Sequence, residues 1–324
     1  SAGCVVTDLQ KMPGANWFAE SKVNFAENLL RYAQDTSAEA NKTAIVERNE
    51  NGQVANSSFR DIAVKAAYLA HFLKENGVVE GDRVAAVSTN SHHAIVGMLA
   101  TASLGAVWSS CSPDFGESGI LDRFAQIEPK VLLACANYQY AGKRIDCEGK
   151  IQNVVKSLDS LAACVLFDPS KPGITNLSSP KSQLHTWESM IVDGQKALGD
   201  KPTMRYKRVA FNAPLYILFS SGTTGKPKCI VHGTGGTLLK QVSEHLLHCD
   251  NGDGSRVFYF TTCGWMMWNW LVAGLAAGST LLLYDGSPFY PNGNILFDFA
   301  DAEKMTMLGT SAKYIDALNK AGLK

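Results

Sequence analysis

One short segment of the chain combines hydroxyl, glycine and lysine residues in a way that suits phosphate binding. The apolar run Leu215–Phe219 leads directly into Ser220, Ser221, Gly222, Thr223, Thr224, Gly225, Lys226, Pro227 and Lys228. Glycines let backbone N–H groups turn inward, hydroxyls donate hydrogen bonds to phosphate oxygens, and lysines supply positive charge. The segment is therefore predicted to be a buried strand followed by a phosphate-binding loop.

This loop differs from the common nucleotide-binding loop. That motif would need a glycine where Pro227 stands and a hydroxyl where Cys229 stands. A solvated Ser/Gly-rich turn is the alternative, but the preceding strand and the following Gly-Lys-Pro-Lys favour phosphate. A second glycine cluster, at Gly233, Gly235 and Gly236, is predicted to open a helix whose N-terminus adds further anion-binding potential.

The stretch SSGTTGKPK resembles the signature loop of adenylate-forming enzymes, which use ATP and a carboxylic acid to make an acyl-adenylate and pyrophosphate. The resemblance implies ATP, Mg²⁺ and coenzyme A as substrates or cofactors, with no tightly bound prosthetic group. It assigns the catalytic role to Lys228. It also implies that the β- and γ-phosphates of ATP contact Ser220, Ser221, Gly222, Thr223, Thr224, Gly225, Lys226 and Lys228.

Two other stretches indicate a branch of this family. MPGANWFAESKVNFAENLL is similar to the N-terminal segment of acetyl- and acetoacetyl-CoA synthetases, and TTCGWMMWNWLVAGLAAGSTLLLYDGSP is most similar to acetoacetyl-CoA synthetases. The resemblance implies an acid–thiol ligase that converts acetoacetate to its adenylate and then to acetoacetyl-CoA. Another short-chain acyl-CoA synthetase, acting on acetate or propionate, is one alternative. A truncated, non-catalytic form is the other.

Bulky apolar residues follow Gly264 and could form the acid pocket. Trp265, Met267 and Trp268 are expected to line it, although Trp and Met clusters more often belong to a protein core. In the same family, arginines near the position of Lys143 and Arg144 contact coenzyme A, so these two residues are weak candidates for that role. A solvated basic turn is the alternative.

No metal site is predicted. His245 and His248 have a spacing that could hold a metal, but a charged helix end is the favoured interpretation of this pair.

The composition excludes several classes of protein. Thirty Lys plus Arg balance thirty Asp plus Glu, so no net charge favours nucleic acid or an anionic membrane as a partner, and small-molecule substrates are expected. Eight cysteines without paired spacing predict reduced thiols in a cytosolic protein. The stretch between Arg256 and Asp285 lacks charge, but its glycines favour a buried helix and strand over a membrane span.

Alternating short apolar runs and helical stretches predict an α/β fold with parallel-rich sheets covered by helices. The resemblance implies the large N-terminal domain of the adenylate-forming fold, incomplete at its C-terminus. Residues 1–60 would form the family's N-terminal segment and residues 61–324 a truncated AMP-binding domain, without the C-terminal lid domain. The isolated chain is therefore expected to be inactive. The segment Asp168–Lys207 is predicted to be a surface excursion before the sheet resumes.

The predicted strands lie near Val84–Ser88, Val107–Ser109, Val131–Cys135, Val165–Phe167, Tyr216–Phe219, Val257–Thr261, Thr280–Tyr284 and Met305–Leu308.

Overall fold

The computed structural model of the chain describes residues 3–33, 38–168, 182–220 and 225–322. Over these ranges the chain alternates strands and helices, as the α/β prediction requires. The residues of the phosphate loop from Ser221 to Thr224 lie outside the described ranges.

The strands are β1 (Val6–Thr7), β2 (Asn16–Trp17), β3 (Lys22–Val23), β4 (Thr43–Asn49), β5 (Val54–Ser58), β6 (Arg83–Val87), β7 (Val107–Cys111), β8 (Val131–Cys135), β9 (Asn137–Tyr140), β10 (Lys143–Asp146), β11 (Ala163–Phe167), β12 (Gln183–Thr186), β13 (Val209–Ala210), β14 (Pro214–Ser220), β15 (Lys228–Gly233), β16 (Arg256–Tyr259), β17 (Thr280–Asp285) and β18 (Met307–Gly309).

The α-helices are α1 (Phe25–Leu29), α2 (Phe59–Glu75), α3 (His92–Ser103), α4 (Glu117–Ile127), α5 (Glu148–Ser157), α6 (Trp187–Leu198), α7 (Thr234–Ser243), α8 (Met266–Ala273), α9 (Ile295–Glu303) and α10 (Ala312–Lys320). A π-helical turn, Glu244–His248, continues α7, and a 3₁₀ turn, Gly274–Ala277, continues α8.

A seven-stranded sheet forms the centre of the fold, in the order β12-β11-β8-β6-β7-β14-β15. Every neighbouring pair in it is parallel except β14 and β15, which are antiparallel. Residues of one strand alternate between two cores: Ala86 joins the cluster with α2 and α3, whereas Ala85 and Val87 join the cluster with α4 and α5. Both faces are therefore covered, which explains why these strands read as continuous apolar runs.

A second sheet of five strands has the order β18-β16-β17-β4-β5. Its strands β18, β16, β17 and β4 run parallel, and β5 pairs antiparallel with β4 at one edge. Because β4 and β5 come from the first 60 residues, this part of the chain is hydrogen-bonded into a sheet whose other strands come from beyond residue 250. The division of the chain after residue 60 stays a prediction.

The eight predicted strands correspond to β6, β7, β8, β11, β14, β16, β17 and β18, with ends shifted by a few residues. The prediction for Asp168–Lys207 was wrong where that segment is described, since it contains β12 and α6. A capping box at Thr186 starts α6, and the side chains of Trp187 and Met190 are buried. Residues 169–181 lie outside the described ranges.

The uncharged stretch between Arg256 and Asp285 forms β16, α8, the 3₁₀ turn and β17, as the favoured interpretation required. None of the helices formed by the described residues combines the length and apolar character needed to cross a membrane. All eight cysteines are free thiols, and five of them are buried.

Candidate functional site

The predicted phosphate loop closes the antiparallel hairpin of β14 and β15. Ser220, the last residue of β14, lies directly opposite Lys228, the first residue of β15. Gly225 has a φ of +95°, a conformation that favours glycine, and both Lys226 and Lys228 are exposed. The hairpin therefore brings Ser220 and two lysines to one end of the strand pair, where the carboxyl end of β14 emerges from the sheet.

The second glycine cluster does not contribute to this end of the hairpin. Gly233 pairs with Pro214, six residues before Ser220 on β14, which places the start of α7 roughly 20 Å from the loop. The N–H groups of Thr234 and Gly235 donate to the carbonyls of Ala213 and Phe211 at 2.8 and 2.7 Å. Two of the first donors of this helix therefore already bind backbone carbonyls, and the anion-binding potential of its N-terminus stays a prediction.

Gly235 serves packing instead. A Cβ added there would lie 2.2 Å from the ring of Phe211, so a larger residue would displace that ring. The close approach brings α7 against the segment that precedes β14.

A cavity of about 710 Å³ lies beside the hairpin, between α7 and α8. Its walls come from β14, β15, α7, α8 and the ends of β16 and β18. The lining residues are Tyr216, His232, Gly236, Thr237, Lys240, Gln241, Glu244, Cys249, Tyr259, Met266, Met267, Trp270 and Met307.

The polar groups in this cavity divide into a neutral interior and a charged rim. Gln241 donates a hydrogen bond from Nε2 to the hydroxyl of Tyr216 at 3.0 Å, and burial raises the pKa of Tyr216 to about 12. Lys240 and Glu244 form an ion pair on α7 and the turn that follows it, with 69% and 31% of their side chains exposed. The ion pair is therefore confined to the rim, and the Gln241–Tyr216 pair supplies neutral hydrogen-bonding groups inside.

The predicted acid-pocket residues lie in three different environments. Met267 lines the 710 Å³ cavity. Trp265 is 63% exposed and lines an adjoining recess of about 460 Å³ that shares Tyr259, Met266 and Met267 with the cavity.

Trp268, by contrast, is fully buried, lines neither recess, and donates from Nε1 to Asn90 Oδ1 at 3.0 Å. This corrects the prediction that Trp268 lines the pocket, because Trp268 belongs to the core.

Helical spacing explains this difference. Trp270 lies four residues after Met266 and three after Met267, so it shares with them the face of α8 that points at the cavity. Trp268 is turned away from that face. Trp270 was missed by the sequence reasoning, although its spacing from the two methionines could have identified it.

Gly264 holds the start of α8 against the central sheet. A Cβ on Gly264 would lie 3.3 Å from the Cα of Cys111, at the end of β7. Next to it, Ser110 donates to the carbonyl of Cys263 at 2.7 Å, and the thiol of Cys263 donates to the carbonyl of Ser88 at 2.9 Å. Contacts between the central sheet and the loop that follows β16 therefore position Trp265 and the cavity wall behind it.

Lys143 and Arg144 begin β10 in the short β9–β10 hairpin, and both are exposed. The turn of that hairpin is fixed by the buried carboxylate of Glu50, which accepts from the N–H groups of Ala141 and Gly142 at 2.8 and 2.7 Å. Glu50 also accepts from the N–H of Ser287 at 3.0 Å, so it links the hairpin to the segment after β17. The coenzyme A role of Lys143 and Arg144 stays a prediction.

The sequence had indicated that His245 belongs to a charged helix end. The structure corrects this prediction, because His245 is buried. Its Nε2 lies 2.7 Å from the carbonyl of Trp270, and Asn251 donates to its Nδ1 at 3.2 Å. Burial lowers the pKa of His245, so the ring is neutral. In the described ranges, no three His, Cys, Asp or Glu side chains come together as a metal site.

The comparisons with known proteins agree on one family. The model of the family described as AMP-binding enzyme matches residues 33–324. The acetoacetyl-coenzyme A synthetase of Rhizobium meliloti (strain 1021) is 47% identical over 317 residues, covering 98% of this chain and 47% of the relative. The acetoacetyl-CoA synthetase of Rattus norvegicus is 41% identical over 310 residues, covering 95% of this chain and 45% of that protein.

Two further matches are informative. The malonamoyl-CoA synthetase vrtB of Penicillium aethiopicum is 38% identical over 323 residues, covering 95% of this chain and 44% of its own length. The solved structure of the acetoacetyl-CoA synthetase from Streptomyces lividans superposes with a TM-score of 0.88 at 38% identity, over 99% of this chain and 47% of that one.

The chain spans about half the length of the curated relatives it matches. The phosphate-loop hairpin and the parallel-rich sheets occur within the matched region, and the family model extends over nine-tenths of the chain. The chain belongs to the AMP-binding enzyme family.

Proposed function

We propose that the whole protein containing this chain activates acetoacetate with ATP and transfers the acyl group to coenzyme A. The products are acetoacetyl-CoA, AMP and pyrophosphate. The observation that carries this proposal is the position of the 710 Å³ cavity on the strand that leads into the phosphate loop. Tyr216, in the cavity wall, lies four residues before Ser220, roughly 13 Å along β14. An acyl group in the cavity and phosphates at the loop would suit that separation.

The names of the relatives support the choice of acid, and the size of the cavity permits it. A volume of 710 Å³ lies within the range of small-molecule sites and has ample room for a four-carbon acid, so the choice among short acids rests on the relatives. The named relatives act on acetoacetyl and malonamoyl groups, which share a second carbonyl at the third carbon. Acetoacetate is therefore the leading candidate. The malonamoyl relative makes malonamate the second.

The phosphate loop would hold the β- and γ-phosphates of ATP, which arrives with Mg²⁺ as its counter-ion. The residues that we assign to this role are Ser220, Ser221, Gly222, Thr223, Thr224, Gly225, Lys226 and Lys228. Lys228 would be catalytic, because a cation placed opposite Ser220 can offset charge that develops on the phosphates during adenylate formation.

The acid would occupy the cavity lined by Met267, with Trp265 in the adjoining recess. The carboxylate would lie near Tyr259, Met266 and Met267, the three residues that line both recesses. Coenzyme A would contact Lys143 and Arg144 in the β9–β10 hairpin. We propose the cytosol as the site of the reaction, on the basis of the eight free thiols.

The proposal is tested by assaying the full-length protein with Mg-ATP and a panel of acids. Acid-dependent pyrophosphate exchange reports adenylate formation, and thioester formation with coenzyme A reports the second step. We expect acetoacetate to give a higher kcat/KM than acetate, propionate or butyrate in both assays. A higher value for acetate or propionate would contradict the proposed acid, and the absence of exchange with every acid would contradict the activity itself.

A further inference from the structure

The turn of the β9–β10 hairpin is held by one buried carboxylate that belongs to the other sheet. Glu50, which follows β4 and is only 3% exposed, accepts from the N–H of Ala141 at Oε2 and from that of Gly142 at Oε1. Its Oε2 also accepts from the N–H of Ser287, and its own N–H donates to the carbonyl of Asp285. A carboxylate among backbone donors makes charge-assisted hydrogen bonds, which are stronger than neutral ones. Glu50 therefore fixes the turn against the segment that follows β17.

Two further contacts restrain the same hairpin. A Cβ on Gly142 would lie 2.7 Å from the ring carbon Cζ of Tyr290, so this ring packs directly on the turn. Asn51, next to Glu50, donates from Nδ2 to Oε1 of Gln139 on β9. The hairpin is thus held from two sides by residues that follow β4 and β17. It cannot shift relative to the five-stranded sheet without breaking these contacts.

The hairpin and the phosphate loop lie at the same edge of the central sheet. The hairpin follows β8, and the neighbouring strands β8, β6, β7 and β14 run parallel, so the carboxyl ends of β8 and β14 lie on one side. Three strand spacings separate these two ends, roughly 14 Å. Glu50 and Ser287 follow the carboxyl ends of β4 and β17, which are also parallel. Ligands of open α/β sheets bind outside the carboxyl ends of the strands, so the hairpin stands where a ligand is expected.

We propose that Glu50 is a positioning residue for the coenzyme A step, because it fixes the hairpin that carries Lys143 and Arg144. These two residues directly follow the turn that Glu50 holds. Without its hydrogen bonds the turn would gain conformational freedom, and binding of the coenzyme would have to order both cations at a cost in affinity. Formation of the adenylate does not use the hairpin. This role rests on the proposed function and adds a residue that acts through the hairpin without touching a substrate.

The test is Glu50→Gln in the full-length protein. The amide keeps the size of the side chain but has a single oxygen, so at least one of the three backbone N–H groups would face an N–H₂ group. The KM for coenzyme A in thioester formation should rise about 5-fold to 20-fold. The KM for ATP and the rate of acid-dependent pyrophosphate exchange should stay within twofold of wild type. Glu75→Gln, in an exposed carboxylate at the end of α2, is the matched control and should leave all three quantities unchanged.

A double-mutant cycle tests whether Glu50 acts through the two cations. In the Lys143→Ala/Arg144→Ala background, Glu50→Gln should raise the KM for coenzyme A less than twofold further, because the side chains that it positions are missing. Gly142→Ala decides the question if Glu50→Gln fails to fold. It keeps the carboxylate but disturbs the turn, since Gly142 has a φ of +77° and no space for a Cβ beside Tyr290. It should raise the KM for coenzyme A as well.

Three outcomes would overturn the role of Glu50 while leaving the proposed reaction intact. They are a KM for coenzyme A within twofold of wild type in the folded variants, equal losses in pyrophosphate exchange and thioester formation, and an undiminished effect of Glu50→Gln in the Lys143→Ala/Arg144→Ala background. If Lys143→Ala/Arg144→Ala itself left the KM for coenzyme A unchanged, the proposed coenzyme contact would fail, and the role of Glu50 with it. A wild-type protein without acid-dependent exchange would instead overturn the proposed function.

Discussion

The side chains near the two ends of the β14–β15 hairpin differ in charge and in exposure to solvent. At the loop end, Lys226 and Lys228 are exposed to solvent. Toward the other end, Tyr216 and Gln241 are buried and neutral, and the nearby His245 is kept uncharged by burial, which lowers its pKa. One continuous strand therefore joins a solvated cationic region to an uncharged interior, and the two regions are only a few residues apart.

This difference follows from the cost of burying charge. An unpaired cation in the interior would lose its hydration, whereas an exposed lysine keeps it until a phosphate arrives. Neutral hydrogen-bonding groups tolerate burial if they find partners. Substitutions at the loop should therefore change catalysis and leave stability almost intact. Substitutions in the interior should change stability as well.

The largest effect is expected for the double variant Lys226→Ala/Lys228→Ala in the full-length protein. Each charge-assisted contact with phosphate contributes ~1.5–3 kcal/mol, so kcat/KM for ATP should fall about 100-fold or more. The thermal midpoint should change little, because both lysines are exposed. Steady-state kinetics and thermal unfolding measure the two quantities.

Lys196→Ala is the control for this double variant, since Lys196 is an exposed lysine on α6 with 73% of its side chain accessible. If kcat and the KM for ATP both stayed within twofold of wild type in the double variant, the loop would not bind phosphate. A large loss of stability would contradict the view that the loop end is independent of the core.

The second prediction compares two tryptophans that are three residues apart, one buried in the core and one exposed. Trp268→Ala should lower the free energy of unfolding by about 3–5 kcal/mol, because it removes a fully buried ring and leaves Asn90 without its donor. Trp265→Ala should cost less than about 1 kcal/mol, because Trp265 is 63% exposed, yet it should alter the relative rates with different acids. Urea denaturation and the acid panel check the pair. Equal losses of stability would mean that Trp265 also belongs to the core.

Local features of the sequence predicted β14 and seven other strands of the eighteen formed by the described residues, whereas β15, which completes the hairpin, and the cavity were not predicted. The run Val131–Cys135 is buried on both faces, so its composition alone marks a central strand. Strand β5 was missed because most of its residues are exposed at a sheet edge. The cavity requires Tyr216, Trp270 and Met307 to meet, and that depends on how two sheets pack rather than on any contiguous pattern.

The incorrect role for Trp268 has a similar cause. Its type and its place near Gly264 suggested a pocket wall, but only the orientation of α8 decides which face points inward. The neutral state of His245 could not be predicted from the sequence either, because only tertiary packing brings its partners Trp270 and Asn251 to it.

The smallest expected effect is on the pH dependence of stability. Measuring it tests whether the buried region around His245 is kept neutral. Burial lowers the pKa of His245 in the folded protein, and its hydrogen bond with the Trp270 carbonyl only partly opposes this. In the unfolded chain the pKa is about 6.5. As pH falls below that value, the unfolded state takes up a proton that the folded state does not. The contribution of neutral His245 to the free energy of unfolding is therefore fully present above about pH 6.5. It decreases as pH falls toward the lower pKa of the folded state.

Comparing wild type with His245→Gln should reveal this contribution. The variant should be less stable than wild type at pH 7.5, and the difference in thermal midpoint should shrink by at most about 2 °C when both are measured at pH 5.5. His248→Gln, in the exposed histidine of the same turn, is the matched control and should show a constant small difference. A difference for His245→Gln that grew on acidification would show that the folded protein binds the proton more tightly than the unfolded chain. In that case the region around the cavity would stabilise charge, and the contrast between the two ends of the hairpin would not hold.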